Sequence, residues 1–132
     1  MPVDYHARYA SAPDSYTKRI EKRFADLPAG STVLIPSPRD IEAVACDLDA
    51  NATITLTELR HELANRHGAD GTCPVMAGMN LRVAAEVTFQ ALDAGVPPAD
   101  LVPIWRAVDP ASALATKLPC SIATLTALRD AA

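Results

Sequence analysis

NATITLTELRHELANRHG, residues 51–68, contains the clearest local pattern of the chain. Thr55 and Glu58 have the spacing of a capping box, in which each side chain accepts a hydrogen bond from the other residue's backbone N–H at a helix start. Leucines follow at the three- and four-residue spacing of a helix, at Leu56, Leu59 and Leu63. Gly68 is a stop signal, because glycine tolerates the left-handed conformation that often ends a helix. These features predict a helix that begins after Thr55 and ends at Gly68.

A longer helix is predicted immediately downstream, from about residue 75 to residue 94, with Gly95 closing it. The connecting segment, HGADGTCP, is a glycine-rich loop. Two consecutive helices resemble a helix-turn-helix, but this loop is longer than the roughly three or four residues usual in that motif.

Towards the N-terminus, residues 14–27 predict a further helix with Asp14 as its N-cap. Its apolar face would be Tyr16, Ile20, Phe24 and Leu27. The next stretch, STVLIPSPRD, contains a short apolar run that is either a strand or an extended tie. Ser37 and Pro38 suit an N-cap and a first helical position. The buried face of that helix would be Ile41, Val44, Ala45 and Leu48. Cys46 is expected on the same apolar side.

Towards the C-terminus, residues 101–108 predict a strand or a paired extended segment broken by Pro103, which would serve as a wing. Ser121 then caps a final helix. One face of this helix would carry Ile122, Leu125 and Leu128.

Length and composition predict one helix-rich domain with an aliphatic core, because the 132 residues are 49% hydrophobic and only 5% aromatic. No run is apolar enough to be a signal peptide or a membrane span, so a cytoplasmic protein with no membrane partner is expected. Three scattered cysteines predict no disulfide.

The net charge of −4 does not favour nucleic-acid binding by the chain as a whole. A DNA surface would have to be a local basic patch on an acidic molecule. The run TKRIEKRF supplies one candidate patch, although such a run is usually a solvated helix face. Its cations are Lys18, Arg19, Lys22 and Arg23.

The sequence offers few catalytic candidates. Cys73 lies before Pro74 at a predicted helix start, where the helix dipole would lower the pKa of a thiol, but a packing role is favoured over catalysis. His61, His67, Asp70 and Cys73 do not have a recognised metal-ligand spacing, so no metal is expected. The segment GADGTCP lacks the lysine of a phosphate-binding loop, and no cofactor is expected.

Three stretches resemble, in order, the DNA-binding domain of the O6-alkylguanine-DNA alkyltransferases and of their alkyltransferase-like relatives. TITLTEL, residues 53–59, stands at the family's Thr-x-x-x-Leu element. AGMNLRV, residues 77–83, resembles the recognition helix. PIWRAV, residues 103–108, resembles the Pro-Cys-His-Arg-Val active-site strand. The resemblance covers about residues 37–109.

The resemblance implies a protein without alkyltransferase activity. The family's acceptor cysteine falls at Ile104 and its activating histidine falls at Trp105, so the nucleophile and its base are both absent. Alkyltransferase-like proteins also lack this cysteine and still bind alkylated DNA, usually with a tryptophan in its place. Here the tryptophan comes one residue later.

The resemblance also implies the DNA-binding residues. Arg82 would be the finger arginine that fills the space left by a rotated nucleotide, or else a helix-surface residue paired with Glu86. Arg106 would bind a phosphate or a carboxylate, and Trp105 would stack on a base or lie in the core. The remaining candidates for contact with DNA are Thr57, Arg60 and Asn80.

We therefore expect a mainly helical α+β fold, with an N-terminal helical arm over residues 1–30 and a winged helix-turn-helix-like domain over residues 31–132. The expected function is non-enzymatic recognition of alkylated or distorted double-stranded DNA by nucleotide flipping, together with a repair-protein partner. One alternative is a protein-interaction module using an apolar surface of Val102, Ile104 and Trp105. Another is an enzyme that uses Cys73 on a small molecule.

Overall fold

Five α-helices and a small three-stranded sheet form a mixed α+β architecture in the computed structural model, which describes residues 2–131. The helices are α1 (Tyr5–Ser11), α2 (Pro38–Asp47), α3 (Leu56–His67), α4 (Pro74–Asp93) and α5 (Ile122–Asp130). The strands are β1 (Tyr16–Arg19), β2 (Thr32–Ile35) and β3 (Gly71–Thr72). Single 3-10 turns occupy Pro98–Asp100, Ile104–Ala107 and Ala115–Lys117.

The sheet joins the N-terminal segment to the start of α4. β1 pairs with β2 in an antiparallel register that places Tyr16 opposite Ile35 and Arg19 opposite Thr32. β3 lies parallel to β2 on its other side and leads directly into α4. The hairpin of β1 and β2 is therefore anchored beside the first turn of α4.

The main core lies between α2, α3 and α4 and is closed by the C-terminal segment. Its largest fully buried side chain is Phe89 of α4, which packs with leucine, isoleucine and valine side chains from the neighbouring elements. α5 contributes one fully buried residue, Leu125. A smaller cluster under the sheet consists of Leu27, Val33, Ile35 and Cys73.

The local helix signals are confirmed. Thr55 and Glu58 form both hydrogen bonds of the capping box, at 3.1 and 3.0 Å. Gly68 ends α3 with φ +65°. The side chains of Ser37 and Ser121 accept hydrogen bonds from the N–H groups of the residues three positions later. The α+β class is confirmed as well.

The predicted helix over residues 14–27 is wrong. This segment contains β1 and a loop, because β1 finds backbone partners along β2. Leu27 is buried in the smaller cluster, whereas Tyr16 and Phe24 are 48% and 45% exposed. The domain boundary predicted after residue 30 falls inside the β1–β2 hairpin.

The predicted strand over residues 101–108 is also wrong. Pro103 lacks an N–H to donate to a strand partner, and the chain turns instead into a 3-10 helix at Ile104–Ala107. This turn places Ile104 and Trp105 in the main core. The wing expected here is therefore not formed.

Cys46 is exposed on α2, which corrects its predicted burial.

Polar contacts hold α1 against α2 and α4. The guanidinium of Arg39 donates to the backbone carbonyls of Tyr9 and Ala12, at 3.1 and 2.6 Å. The hydroxyl of Tyr9 donates to the carboxylate of Glu42. Burial, followed by this hydrogen bond, raises the pKa of Tyr9 to about 12, and burial raises the pKa of Glu42 above its usual range. α1, which the sequence pattern did not predict, is thus docked on the helices.

Candidate nucleic-acid interface

The β1–β2 hairpin carries four exposed cations that have no carboxylate partner among residues 2–131. Lys18 and Arg19 lie on β1, and Lys22 and Arg23 lie in the following loop. Arg23 donates only to the nearby carbonyl of Ala25, at 3.3 Å. The ion pairs of the described chain within 4.0 Å belong to other cations, namely Arg39, Arg60, Arg66, His67 and Arg82. Four of the eight described lysines and arginines without an ion pair therefore lie on the hairpin, and the other four are Arg8, Arg106, Lys117 and Arg129.

One face of α4 is exposed in its N-terminal half. Val75 and Met79 are 53% and 48% exposed, and Arg82 continues the same face one turn later. The sequence from Pro74 to Arg82 contains no acidic residue. Val75 and Met79 were not identified from the sequence as binding candidates. Their four-residue spacing, outside the predicted core, was a visible signal of an exposed apolar helix face.

Arg82 stands where this exposed face meets α1. Its Nε lies 3.6 Å from Oε1 of the buried Glu86, which confirms the predicted pairing along the helix. The Cζ of Arg82 lies 5.3 Å from the centre of the Tyr5 ring, a cation–π distance. Nε has no hydrogen-bond partner.

The hairpin and α4 meet at a shallow groove of about 230 Å³. Tyr16, Met76 and Met79 line it, and Tyr16 is almost half exposed. Tyr16 and Lys18 point to the same side of β1, since residues two apart in a strand share a face. Lys18 therefore lies on the side of β1 that borders this groove, whereas Arg19 points to the other side of the strand.

Asn80 and Arg60 are held by the protein itself. Asn80 donates from Nδ2 to the carbonyl of Pro36 at 2.7 Å, which ties α4 to the end of β2. Arg60 donates to the carbonyl of Thr72 at 3.0 and 2.8 Å and to the carboxylate of Asp26 at 2.7 and 3.2 Å. The remaining candidate on α3, Thr57, is exposed in the first turn.

Trp105 and Arg106 lie away from this surface. Trp105 is only 8% exposed and Ile104 is fully buried, so the predicted apolar surface of Val102, Ile104 and Trp105 is wrong. Arg106 donates to the carbonyl of Leu48 at 3.3 Å and lines a separate cavity. The 3-10 turn directs both side chains towards the C-terminal segment.

A second, apolar cavity of about 310 Å³ opens between the start of α3 and α4. Its apolar wall comprises Ile54, Leu56, Leu81, Val108 and Leu114. Polar residues also line it, namely Thr53, Thr55, Asp109, Ser112 and Arg129. The sequence pattern gave no signal for this cavity, because its walls come from four separated segments.

Cys73 occupies a packing position. It is 9% exposed among Leu27, Val33 and Ile35, and its side chain makes no capping hydrogen bond to α4. His61 is exposed, and His67 pairs with Asp40 at 3.1 Å. Within residues 2–131, no three histidine, cysteine or acidic side chains are grouped as metal ligands.

Comparisons with protein-family models, with curated proteins and with solved structures found no match to this chain. Among residues 2–131, no helix combines the length and apolar character needed to cross a membrane.

Proposed function

We propose that this protein binds double-stranded DNA, with the β1–β2 hairpin on the phosphates and the N-terminal half of α4 facing a groove. The observation that carries the proposal is a run of four exposed hairpin cations that have no carboxylate partner among residues 2–131, together with an exposed face of α4 that has no acidic residue. In this arrangement the hairpin takes the place of a wing, and α3 and α4 take the places of the two helices of a helix-turn-helix.

The charge distribution supports this proposal despite the net charge of −4. Glu21 and Asp26 are the acids of the hairpin, and Asp26 is already paired with Arg60. When protein cations without a partner contact DNA phosphates, counterions condensed on the DNA are released. This release drives association of the protein with DNA at low salt.

The exposed face of α4 suits contact with bases more than contact with phosphates. Val75 and Met79 can make apolar contacts such as those made to thymine methyl groups. Asn80 and Arg60, bound to Pro36, Thr72 and Asp26, would fix the position of α4 and the hairpin rather than touch DNA. Thr57 is free to contact a phosphate at the start of α3.

We further propose that the protein recognises an alkylated or distorted site in the duplex by nucleotide flipping. Arg82 ends the exposed face and can fill the space of a rotated nucleotide, while the apolar cavity beside Leu56 and Leu81 can receive a base. Ile104 stands where the alkyltransferase family that the sequence resembles has its acceptor cysteine, so binding would be followed by recruitment of a repair partner and not by alkyl transfer.

Salt-dependent titration of a fluorescently labelled duplex tests the binding proposal. A plot of the logarithm of the association constant against the logarithm of the salt concentration has a negative slope for DNA binding. We expect the magnitude of this slope to decrease by about 2 in the double variant Lys18→Glu/Lys22→Glu, because each lost phosphate contact removes about 0.9. Lys117→Glu, at an exposed lysine outside the hairpin, is the matched control. Equal slopes for the hairpin variant and the wild type would contradict the proposal.

The lesion proposal is tested by comparing a duplex that holds one O6-methylguanine with its unmodified twin. We expect tighter binding to the modified duplex, and Arg82→Ala should remove this preference while leaving binding to the unmodified duplex. Equal affinity of the wild type for both duplexes would contradict recognition of alkylation.

A second candidate is a protein-interaction module, which is favoured by the exposed apolar side chains of Tyr16, Val75 and Met79. This candidate places the interface on α4 and β1 and not on the buried Ile104 and Trp105. Absence of duplex binding at low salt would favour it over DNA binding.

A further inference from the structure

A cavity of about 410 Å³ lies beneath α5, at the opposite end of the sequence from the hairpin. Its walls come from residues 50–51, from residues 98–106 and from the last turn of α5. It shares no lining residue with the hairpin or with α4. A ligand held here would therefore not cover the hairpin or α4, although Arg129 also lines the apolar cavity beside Leu56 and Leu81.

Two arginines line this cavity without a counterion. Nη1 of Arg129 donates to the carbonyls of Trp105 and Val108, at 2.8 and 2.7 Å. Nη1 of Arg106 donates to the carbonyl of Leu48. These bonds orient both guanidinium groups but leave their charge uncompensated, because carbonyls are neutral. Among residues 2–131, neither arginine forms an ion pair within 4.0 Å.

No acidic residue lines this cavity. Both arginines are half-buried, and removing a charge from water is costly unless an opposite charge accompanies it. Asp49, Asp100 and Asp130 are close in sequence, but all three are exposed and none lines the cavity. The cavity is thus a positively charged recess.

Donors remain available in this recess. Nε of Arg82 is the one buried side-chain nitrogen or oxygen of the described residues that lacks a partner. The unbonded N–H groups of Arg106 and Arg129 therefore reach solvent. A planar guanidinium offers paired N–H groups that match the oxygens of a phosphate or a carboxylate.

Apolar residues also line the recess, namely Leu101, Pro103, Leu128 and Trp105. We infer that the recess between Arg106 and Arg129 binds a small organic oxyanion, a phosphate or a carboxylate attached to an apolar or planar body. The oxyanion is held by the two arginines, and the body packs on Leu101 and Leu128.

Trp105 reports on this site because it is the only tryptophan of the chain. The intact protein is titrated with phenyl phosphate, benzoate and inorganic phosphate, with phenol as the uncharged probe. We expect a saturable change in tryptophan fluorescence with phenyl phosphate or benzoate, a weaker response to inorganic phosphate, and none to phenol. No saturable response to any anion, or an equal response to phenol, would overturn the inference.

Two variants locate the site. Arg106→Gln and Arg129→Gln should each weaken binding of the responding anion by about tenfold or more. Arg23→Gln on the hairpin should leave binding unchanged. Because Arg129 also donates to two backbone carbonyls, the Arg129→Gln variant can fail to fold. Arg106→Gln removes only one long hydrogen bond, so this variant then tests the site alone. Unchanged affinity in a folded Arg106→Gln variant would overturn the inference.

Competition with a DNA duplex separates a small-molecule site from a phosphate-backbone contact. The duplex should leave the fluorescence titration with phenyl phosphate unchanged. Displacement of phenyl phosphate by the duplex would overturn the claim of a distinct small-molecule site.

Discussion

At the scale of single residues, Arg60 connects three parts of the molecule. Its guanidinium joins the carbonyl of Thr72 in β3 to the carboxylate of Asp26 in the hairpin loop. The hydroxyl of Thr72 donates back to the carbonyl of Arg60 at 2.7 Å. The hydrogen bond from Arg60 holds the pKa of Asp26 below its usual value of 3.8. The hairpin is therefore tied to α3 by an ionised carboxylate.

This ion pair predicts a loss of stability in acid. A carboxyl whose pKa is lower in the folded than in the unfolded chain stabilises the fold above its unfolded pKa. That contribution is lost as the pH falls below about 4 through the folded value. Asp26→Asn should therefore reduce the difference in unfolding free energy between pH 6 and pH 3, measured by urea denaturation. Asp100→Asn, at an exposed carboxylate without an ion pair, is the control. An unchanged difference in Asp26→Asn would contradict this role.

Residues whose partners are close in sequence could be predicted from sequence alone. Thr55 and Glu58, and likewise Arg82 and Glu86, are separated by three or four positions, and helix geometry alone brings them together. Trp105 and Asn80 depend on segments far along the chain. No local pattern shows that Trp105 is covered by α5 or that Asn80 bonds to Pro36.

At the scale of elements, two glycines should respond oppositely to alanine. Gly68 ends α3 with φ +65°, and a Cβ added there would meet no atom within 4 Å. The only cost of replacing Gly68 by alanine is therefore backbone strain. Gly68→Ala should destabilise by about 1–2 kcal/mol. Gly78 lies inside α4 with equally open space around it. Gly78→Ala should stabilise by about 0.5–1 kcal/mol, because alanine is the better helix former. Thermal or urea unfolding measures both, and the same sign for the two variants would contradict the assigned backbone conformations.

The apolar attachment of α5 centres on one buried side chain, beside the hydrogen bonds of Arg129. Leu125 is its fully buried residue, whereas Ile122 on the same helix is 41% exposed. Leu125→Ala should cost about 2–5 kcal/mol of unfolding free energy. Ile122→Ala should cost less than about 1 kcal/mol. Equal losses in chemical denaturation would show that α5 packs differently.

The two incorrectly predicted elements failed for tertiary reasons. The apolar residues of segment 14–27 have helical spacing. In the extended conformation, however, β1 pairs with β2 and Leu27 packs into the smaller apolar cluster. Residues 101–108 have an extended pattern, but a tight turn around Pro103 buries Ile104 and Trp105 against the helices. In both segments the packing of distant elements outweighs local preference.

At the scale of the whole molecule, the fold separates two kinds of arginine and lysine. Arginines between elements bond to carbonyls or carboxylates and hold the structure, as Arg39 and Arg60 do. Among the described residues the hairpin cations have no carboxylate partner, and only Arg23 bonds to a carbonyl, that of Ala25 within its own loop. The basic run was visible in the sequence, but its place beside α4 follows from strand pairing, which the sequence did not reveal.

The most direct test of the proposed DNA surface is amide NMR chemical-shift mapping of the full chain with a short duplex at low salt. The largest shift changes are expected on residues 16–24 of the hairpin and 74–82 of α4. Amides around the recess beneath α5, residues 98–106 and 122–130, should stay unchanged. No shift changes at low salt, or changes centred on the α5 recess, would show that DNA does not bind to the hairpin and α4.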